Sequence, residues 1–394
     1  VYDYKLLDIF YKKIITRDSG PKQSEFPQIK YVTITDETYT YIAKNYLDRS
    51  YLSGLNKALV ELGAEAIAYD IIFPHPTTSE ADRVFTKSLE DMDSIYLPLA
   101  LNLSEQKKEF RWGRGKVYET LKEIYLKKPI EKGSPDPFYG TWAVLQHEMF
   151  ADKVSNSGHI SAYADEDGYF RHMLMLIRIN DKYVPTLSLS IFLDYIDVPF
   201  ESIIVDWGHQ ITIPALSDSF LEKDVIIPID EKGRTFIPFC QTWEKDFEEM
   251  PSHLLMEKFK DQNLKGNLSE LFEGNFIFIG DISLGISDIG NIPIQKDIPL
   301  LVMHASILNG MLTNTFYKKW SFAEVICLVL FIGLFLWFAA LLRHSWFLYL
   351  SGVFSFLAIV IFTWWQFTQF FLVPVFSVLG SLIFIFSGLI ISIE

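Results

Sequence analysis

Apolar and polar blocks alternate in the first hundred residues and predict strands and helices in turn. IKYVTIT at 29–35 predicts an extended strand, and YLSGLNKALVELG at 51–63 repeats leucines at helical spacing before a stop at glycine. AEAIAYDIIF at 64–73 predicts a second buried strand. A helix capped by Ser79 and a third strand, SIYLPLAL at 94–101, are expected next. Such alternation is typical of a mostly parallel sheet with right-handed crossovers.

The same pattern returns much later in the chain. FIFIG at 276–280 predicts another buried strand and LVMHASILNGML at 301–312 another helix, and we expect both to rejoin the first sheet. The region before them differs, since 165–196 predicts a turn, a strand, a turn and a helix, and 229–239 predicts a hairpin. The predicted fold class is therefore α/β, a mostly parallel sheet with flanking helices and inserted hairpin regions.

The last part of the chain is almost continuously apolar. It predicts three transmembrane helices at about 321–342, 346–365 and 370–393, each with about the twenty apolar residues that a helix needs to cross hydrocarbon. Buried helices of a soluble protein are the weaker explanation, because these segments have no polar face to meet water. We predict a domain over 1–314, followed by an all-α three-helix transmembrane bundle over 315–394.

Two residues between the first two spans predict the orientation. Arg343 and His344 lie in that turn, and short cytoplasmic loops collect Lys and Arg. This assignment places the large domain in the periplasm or extracellular space, on a multi-pass protein of the inner membrane in contact with lipid. A domain on that side needs a preceding signal or span, so we expect one more transmembrane helix upstream, continued by YKLLDIFYKKI at 4–14 into the domain.

Cysteine usage indicates the compartment of the predicted domain, and its charge limits the kinds of partner. Cys240 belongs to the predicted domain and Cys327 to the first span, so no disulfide is expected between them, which suits a bacterial periplasm. The net charge is −14, and only Glu324, Arg343 and Glu394 are charged after residue 320. The acidity therefore belongs to the domain, which argues against nucleic acid and against an anionic lipid surface as its partners.

An acid follows each of three predicted strands. Asp36, Asp70 and Asp281 come at the carboxyl ends, where open α/β sheets form their ligand crevices. We expect the strands of Asp36 and Asp70 to lie side by side and the three acids to converge. Such a cluster would suit a metal cation, a protonated amine, or a buried polar network with Arg49 and His304. The alternative is that each acid only caps the helix that follows it.

Three further motifs have less specific explanations. The loop after Asp281 contains Gly285 and then Asp288, but it lacks the lysine of a phosphate loop, and its carboxylates would repel phosphate. His304 lies on an apolar helix, where a core residue is commoner than a ligand. The turn DEDG at 165–168 is expected to be solvated, with Arg171 as its ion-pair partner. The motifs of zinc proteases, nucleophile elbows and protein kinases are missing, so no catalytic residue is predicted.

An ordered series of segments carries a family resemblance. The segments are VTITDE, then LVELGAEAIAYDIIFPHP with Asp82 after it, YADEDGYFRHM, FEGNFIFIGDISLGISDIGNIP, and LVMHASILNGML. They resemble, in order, the first strand and acid, the helix and strand with an Asp-Phe signature, the acidic turn with its arginine, the glycine loop, and the histidine helix of the CHASE type 2 extracellular sensor domain. Three closely spaced spans after the domain are also typical, and the resemblance covers nearly the whole chain.

The resemblance implies a sensor with two groups of candidate site residues. The ligand or polar cluster would comprise Asp36, Arg49, Asp70, Asp82, Asp281, Asp288 and His304. The secondary acidic turn would comprise Asp165, Asp167 and Arg171. The ligand is an unknown extracytoplasmic molecule, and whether a metal ion binds is left open.

The resemblance also implies a cytoplasmic output domain beyond Glu394. Nucleotide cyclases, histidine kinases, Ser/Thr kinases and phosphatases occur in that place, and a class III adenylate cyclase is the first expectation. Such a cyclase would use Mg or Mn to convert ATP to cAMP in a homodimer, while residues 1–394 would need no cofactor. The alternatives are a kinase or phosphatase receptor, a metal-assisted hydrolase using Asp36, Asp70 and Asp281, and a structural or interaction protein that ends at the membrane.

Overall fold

The structure is a computed structural model that describes residues 2–16, 21–91, 94–154, 156–243, 249–261, 263–285, 288–342 and 344–393. Arg343, on which the predicted orientation depends, lies outside the described residues. The chain divides into two compact units. We call Pro21–Thr315 the α/β unit, and Val1–Gly20 together with Phe316–Glu394 the helical unit.

The helices are named in chain order. They are α1 (Tyr2–Thr16), α2 (Asp36–Ile42), α3 (Arg49–Glu61), α4 (Ser79–Glu90), α5 (Lys116–Thr120), α6 (Glu148–Ala151), α7 (Leu187–Tyr195), α8 (Ser252–Lys260), α9 (Lys265–Phe272), α10 (Leu301–Leu312), α11 (Phe322–Leu341), α12 (Ser345–Thr368) and α13 (Val375–Ile393). A π-helical turn covers Leu121–Tyr125 and a 3₁₀ turn covers Phe200–Ser202.

The strands are named in the same way. They are β1 (Ile29–Ile34), β2 (Ala66–Tyr69), β3 (Ile95–Tyr96), β4 (Ala100–Ser104), β5 (Ile130–Lys132), β6 (Tyr139–Val144), β7 (His172–Leu174), β8 (Leu176–Ile179), β9 (Lys182–Pro185), β10 (Ile204–Asp206), β11 (Gln210–Ile213), β12 (Val225–Pro228), β13 (Arg234–Phe236), β14 (Glu249–Pro251), β15 (Phe276–Asp281), β16 (Ile289–Gly290), β17 (Ile298–Pro299), β18 (Lys318–Lys319) and β19 (Phe371–Leu372).

A five-stranded parallel sheet organises the α/β unit, in the order β14-β1-β15-β2-β3. The prediction that the late strand rejoins the first sheet is confirmed. The prediction that the strands of Asp36 and Asp70 lie side by side is wrong, because β15 separates them and pairs with both. The reason is hydrophobic burial: the first five residues of β15 are fully buried, so it takes the central place, while β14, which ends in proline, takes an edge.

Helices α3 and α4 pack against this sheet through a buried core. Leu52, Leu55 and Leu59, the leucines at helical spacing, are completely buried, and Gly63 ends α3 with a left-handed φ of 82°, as predicted. One hydrogen-bonded chain crosses the core: the Tyr69 hydroxyl donates to Asn56 at 2.5 Å. The Asn56 amide in turn donates to the Ser88 hydroxyl of α4 at 3.1 Å. These two bonds fix the positions of β2, α3 and α4 relative to one another.

Two local predictions need correction. The expected third strand, 94–101, divides into β3 of the parallel sheet and β4 of a second, mixed sheet, where it pairs antiparallel with β6. Pro98 lies between the two parts and cannot donate to a ladder, so the chain changes sheets there. The predicted cap, Ser79, is instead the first residue of the helix. The cap is Thr78, whose side chain accepts a hydrogen bond from the Ala81 amide.

The inserted region forms smaller sheets, of which the two four-stranded ones are mixed, because β5 pairs with β10 and β6 with β8 in parallel. The turn and the helix predicted after residue 168 are confirmed, but the single predicted strand divides into β7 and β8, and a further strand, β9, forms a hairpin with β8 before α7. A second hairpin, β10–β11, extends to β12. The turn predicted at Lys232 and Gly233 is present, but it is no hairpin, because β12 pairs with β11 whereas β13 pairs with β7.

Helices α11, α12 and α13 are strongly apolar, as predicted. Two of them are long and apolar enough to cross a membrane: α11, over Phe322–Leu341, and α12, over Trp346–Thr368. The apolar part of α13 is shorter, Val375–Ile391. Only 17% of the first span is buried within the chain, unlike a helix in the core of a soluble protein. The third predicted span began at 370, but Phe371–Leu372 pairs with β18 and Pro374 then delays the helix until Val375.

Helix α1 belongs to the helical unit together with these spans. The Phe10 ring meets the Trp364 ring of α12 edge-on at 5.2 Å, and the Tyr11 ring meets the Phe367 ring at 5.4 Å. The predicted helical run YKLLDIFYKKI is therefore helical, and its aromatic face packs on an apolar helix.

Candidate functional site

The three acids that follow strands lie at the carboxyl edge of the parallel sheet. Asp281 is the last residue of β15 and is in register with Ile34, the last residue of β1. Asp36 is the first residue of α2, separated from the end of β1 only by Thr35. Asp70 follows β2, and its backbone amide still donates to the Ile279 carbonyl at 2.8 Å. Backbone pairing thus places all three residues at one edge, although β15 stands between the outer two.

Asp281 is the best-satisfied carboxylate of this edge. The Tyr39 hydroxyl of α2 donates to its Oδ2 at 2.5 Å. Its Oδ1 accepts from the Ser283 hydroxyl at 2.6 Å and from the Ser283 amide at 3.1 Å, which turns the chain sharply after β15. Burial and the bond to Asp281 both raise the pKa of Tyr39, so the phenol keeps its proton and acts as the donor.

Asp36 holds the next residue of the same loop. Its Oδ2 accepts from the Leu284 amide at 3.4 Å, a long bond that nevertheless links α2 to the loop after β15. Leu284 is 86% exposed, and Gly285 has a φ of 81°, a value that glycine reaches without strain. Two carboxylates from neighbouring strand ends therefore position the segment 283–285, which we call the β15 loop.

Asp70 has a different environment. It is partly buried, and within the described residues no group donates a hydrogen bond to its carboxyl. Burial, and secondly the charge of Asp288, raise the pKa of Asp70 to about 7. The edge therefore consists of a hydrogen-bonded part, Asp36 with Asp281, and a part where Asp70 faces Asp288 without a counter-charge.

Helix capping, the alternative explanation, fails for two of the acids. Asp70 and Asp281 are followed by extended or turning chain, and no helix begins there. The N-cap of α2 is Thr35, whose hydroxyl accepts from the Thr38 amide, while Asp36 lies in the first turn. There its negative charge still interacts favourably with the helix dipole.

Arg49 and Asp82 form a separate buried pair. Arg49 Nη1 donates to Asp82 Oδ1 at 2.6 Å, and Nη2 donates to the His75 carbonyl at 2.6 Å. Asp82 also accepts from the Thr77 amide at 2.8 Å. Burial alone would raise the pKa of Asp82, but the bonds from Arg49 and Thr77 outweigh it and hold the pKa below its usual value.

This pair stabilises a chain segment. The guanidinium lies over the rings of Phe73, at 5.3 Å, and Phe150, at 4.8 Å. It therefore fixes the extended segment between β2 and α4, and its hydrogen bonds go to Asp82, Thr77 and His75.

His304 is a core residue of α10, in agreement with the commoner explanation. It is 4% exposed, and its Nδ1 lies 3.4 Å from the hydroxyls of Thr186 and Ser188. Burial lowers the pKa of His304 to about 4. Burial, and secondly His304, lower that of the completely buried His159 to about 3. The His159–His304 pair was not expected from the sequence, since nothing marks the two positions as neighbours.

The secondary acidic turn is an ion-pair network. Arg171 is completely buried, and its Nη1 lies 3.1 Å from Asp165 Oδ2 and 2.8 Å from Asp167 Oδ1. His172 Nδ1 lies 2.9 Å from Asp165 Oδ1. The predicted partnership with Arg171 is confirmed, whereas the expectation of a solvated turn is wrong for Asp165, whose side chain is only 8% exposed. Because the guanidinium is desolvated, it requires carboxylates close by.

The sequence candidates therefore belong to four places rather than one. Asp36 and Asp281 share the β15 loop, Asp70 faces Asp288, Arg49 pairs with Asp82, and His304 lies beside His159. Throughout the described ranges, no three His, Cys, Asp or Glu side chains come together as a metal site. Asp36, Asp70 and Asp281 do not form such a group. Tyr39 and Ser283 were missed because hydroxyl donors carry no spacing signal.

We expect the substitution Asp70→Asn to change how stability depends on pH. The pKa of Asp70 is about 7 in the folded protein and about 3.9 in the unfolded chain. Between these two pH values the unfolded chain has already released the proton and the folded protein still holds it. The wild-type protein therefore loses stability as pH rises through this window. Asn stays neutral, so the variant should gain stability relative to wild type across this window and keep a constant advantage above it. Urea unfolding of the full chain in detergent, at pH of about 4.5 and about 7.5, measures the effect.

The matched control is Asp218→Asn, which removes an exposed acid from another loop. Its difference from wild type should be the same at both pH values. An equally constant difference for Asp70→Asn would contradict the raised pKa.

We expect energetic coupling between Tyr39 and Asp281. A double-mutant cycle with Tyr39→Phe and Asp281→Asn should give a coupling energy of about 1.5 kcal/mol or more, since the bond joins a partly buried hydroxyl to a charged acceptor. The cycle with Asp36→Asn and Asp70→Asn should be additive within about 0.5 kcal/mol, because a whole strand separates those acids. Urea midpoints of the full chain supply both values. Strong coupling in the second cycle and none in the first would refute this assignment.

One known protein family matches most of this chain. A family model described as the CHASE2 domain matches residues 2–341, which include the α/β unit and the first apolar helix. Comparisons with curated proteins and with solved structures give no match. The match covers most of the chain, and the resemblance predicted from the ordered motifs is confirmed. The chain belongs to the CHASE2 domain family, a family of sensor domains.

Proposed function

We propose that this chain is the sensor and membrane-anchor portion of a transmembrane signalling receptor. The observation that carries the proposal is the extent of the family match, because residues 2–341 include the α/β unit together with helix α11. The sensor domain and the first apolar helix thus follow one family pattern. A ligand from outside the cytoplasm would act on the α/β unit, and the apolar helices would anchor the receptor in lipid and pass the signal across.

The chain path supports this division of roles. Helix α10 is the last helix of the α/β unit, and the segment 313–321 joins it to α11. The buried positions of α10, including His304, fix the helix within the unit. A ligand that repacks the unit around α10 would therefore change the end of the chain that enters the first apolar helix.

The carboxyl edge of the sheet is proposed to take part in this response. The β15 loop depends on two carboxylates, and the neighbouring Asp70 faces Asp288 without a counter-charge. A cation or a proton that reaches Asp70 removes that repulsion. We assign no catalytic role to these residues.

The proposed output is a class III adenylate cyclase that follows Glu394, with Mg or Mn and ATP as its cofactor and substrate. Cyclase sites form between two chains, so the receptor would be a homodimer. Gly380 and Gly388 of α13 have nothing within 4 Å of an added Cβ, whereas Gly352 is already covered by Phe386. The first two glycines therefore leave room for close approach of a second chain.

We expect the coding sequence beyond the Glu394 codon to encode a cyclase catalytic domain. The full-length protein in lipid nanodiscs should then convert ATP to cAMP and should have the mass of a dimer. The matched control is the protein that ends at Glu394, which should bind to the membrane but make no cAMP. A stop codon within a few residues of Glu394, or a kinase or phosphatase domain in that place, would overturn the cyclase assignment.

We expect the α/β unit to lie outside the cytoplasm and the α11–α12 turn to lie inside. In a background with Cys240→Ser and Cys327→Ser, single cysteines are placed by Lys107→Cys in an exposed loop of the unit and by His344→Cys in that turn. A maleimide that cannot cross the inner membrane should label the first variant in spheroplasts, and the second only after lysis. Lysed samples of both variants serve as controls for reactivity. The reverse labelling pattern would be incompatible with this topology.

A further inference from the structure

A cavity of about 560 Å³ lies at the amino ends of the parallel strands, opposite the edge that carries Asp36 and Asp281. Ala66 begins β2, Phe276 begins β15, and Ser94 immediately precedes β3, and all three line the cavity. Ala66, Phe276 and Ile191 of α7 are almost completely buried and form an apolar floor. This volume lies within the range of small-molecule sites, about 300–1,000 Å³.

Aromatic rings line much of this cavity. Tyr195 meets the ring of Phe276 edge-on, with centroids 5.1 Å apart, and Tyr96 is buried in the wall. Phe220 stands at the rim and is 78% exposed, although its backbone amide is held by the Ile196 carbonyl at 3.1 Å. The backbone is thus held in place while the uncovered ring is available for contact with a ligand.

The charged residues around the cavity are mostly acids. Glu65, Asp194 and Asp197 line it, and Lys127 is the one base among its lining residues in the described chain. Asp194 already accepts from the Asn156 amide at 3.0 Å, which fixes its orientation. Burial raises the pKa of Asp194, although the hydrogen bonds from Asn156 and Tyr96 and the charge of Lys127 act in the opposite direction. The carboxylates are thus only partly compensated by the residues around them.

The end of helix α7 adds to this negative potential. A helix carboxyl terminus carries a partial negative charge and favours basic side chains nearby. The last turn of α7 has no base and contains Asp194, and Asp197 follows two residues after the helix ends. Asp197 also adopts a left-handed backbone, with a φ of 54°. Acids at this position oppose the helix dipole, so a positive ligand would remove a repulsion that the fold leaves in place.

We propose that this cavity binds a small organic cation, a guanidinium or ammonium head on an apolar stem. The carboxylates would hold the head by charge-assisted hydrogen bonds, and Phe220 and Tyr195 would contact it through their ring faces. The apolar floor would accept the stem. A bare metal ion does not fit, because no group of three metal-binding side chains exists in the described residues. This inference rests on the proposed sensor function, for which it names the ligand class.

The test uses the full chain in nanodiscs and isothermal titration calorimetry with two probes. N-acetyl-arginine amide carries the cationic head, and N-acetyl-citrulline amide is its uncharged analogue of nearly the same shape. We expect saturable binding of the arginine probe only. Asp194→Asn and Glu65→Gln should each weaken binding about tenfold, and Phe220→Ala should weaken it about threefold.

The matched control is again Asp218→Asn, an exposed acid near Phe220 in sequence that does not line the cavity. It should bind the arginine probe like wild type. Phe220 is largely exposed, so its substitution should leave the fold intact and reports binding even if a carboxylate variant proves unstable. Equal binding of both probes, no binding, or equal affinity in all variants would overturn the proposal. Because binding is measured directly, a missing output domain would contradict the proposed function without changing this result.

Discussion

The pairing of β15 with β1 on one side and β2 on the other is the interaction on which the rest of the structure depends. Six residues of β15 are in register with β1, and four are in register with β2. The strand comes from a point in the chain more than two hundred residues later than its partners, so the loop must close at a substantial cost in entropy. Burial of an almost wholly apolar strand on both faces offsets that cost.

Central placement of β15 gives the sheet two edges with different chemistry. At the carboxyl edge, the neighbouring strand ends bring Asp36 and Asp281 to one loop, where hydroxyl and amide donors satisfy Asp281 and one long bond from the Leu284 amide reaches Asp36. At the amino edge, the end of α7 leaves acids and aromatic rings around an open cavity. Saturated hydrogen bonds stabilise a conformation, whereas incompletely compensated charges beside a cavity favour the arrival of a ligand. The end of β15 is therefore suited to fixing a loop and the cavity at the amino edge to binding a ligand, while Asp70 beside Asp288 remains uncompensated at the carboxyl edge.

Two buried arginines fix the connecting segments of the α/β unit. Arg49 holds the chain between β2 and α4 through Asp82, and Arg171 holds the acidic turn through Asp165 and Asp167. Both lie in positions where desolvation makes an isolated charge very costly, so each is effective only in one geometry. Such pairs act mainly by specifying a single arrangement of loops around the sheet.

Patterns of local periodicity were sufficient to predict much of this molecule. They determined the buried strands, the leucine face of α3, the stop at Gly63 and the apolar helices at the end of the chain, because burial and backbone conformation depend on nearby residues. The ordered motifs were also sufficient to identify the family. Pro98 divides the strand predicted at 94–101, and Pro374 delays the helix predicted from 370. Both breaks are signalled in the sequence by proline itself.

Tertiary structure alone decided which side chains from distant parts of the chain meet. The order of strands placed β15 between β1 and β2, which separated Asp36 from Asp70 and joined Asp281 to Tyr39. It also brought His159 beside His304, and the end of α7 beside the start of β2. Each of these contacts links residues that are distant in the chain, and their energy comes from burial and hydrogen bonds that exist only once the sheet has closed. Periodicity reports which face of an element is buried, but the partner that covers this face is selected by the whole fold.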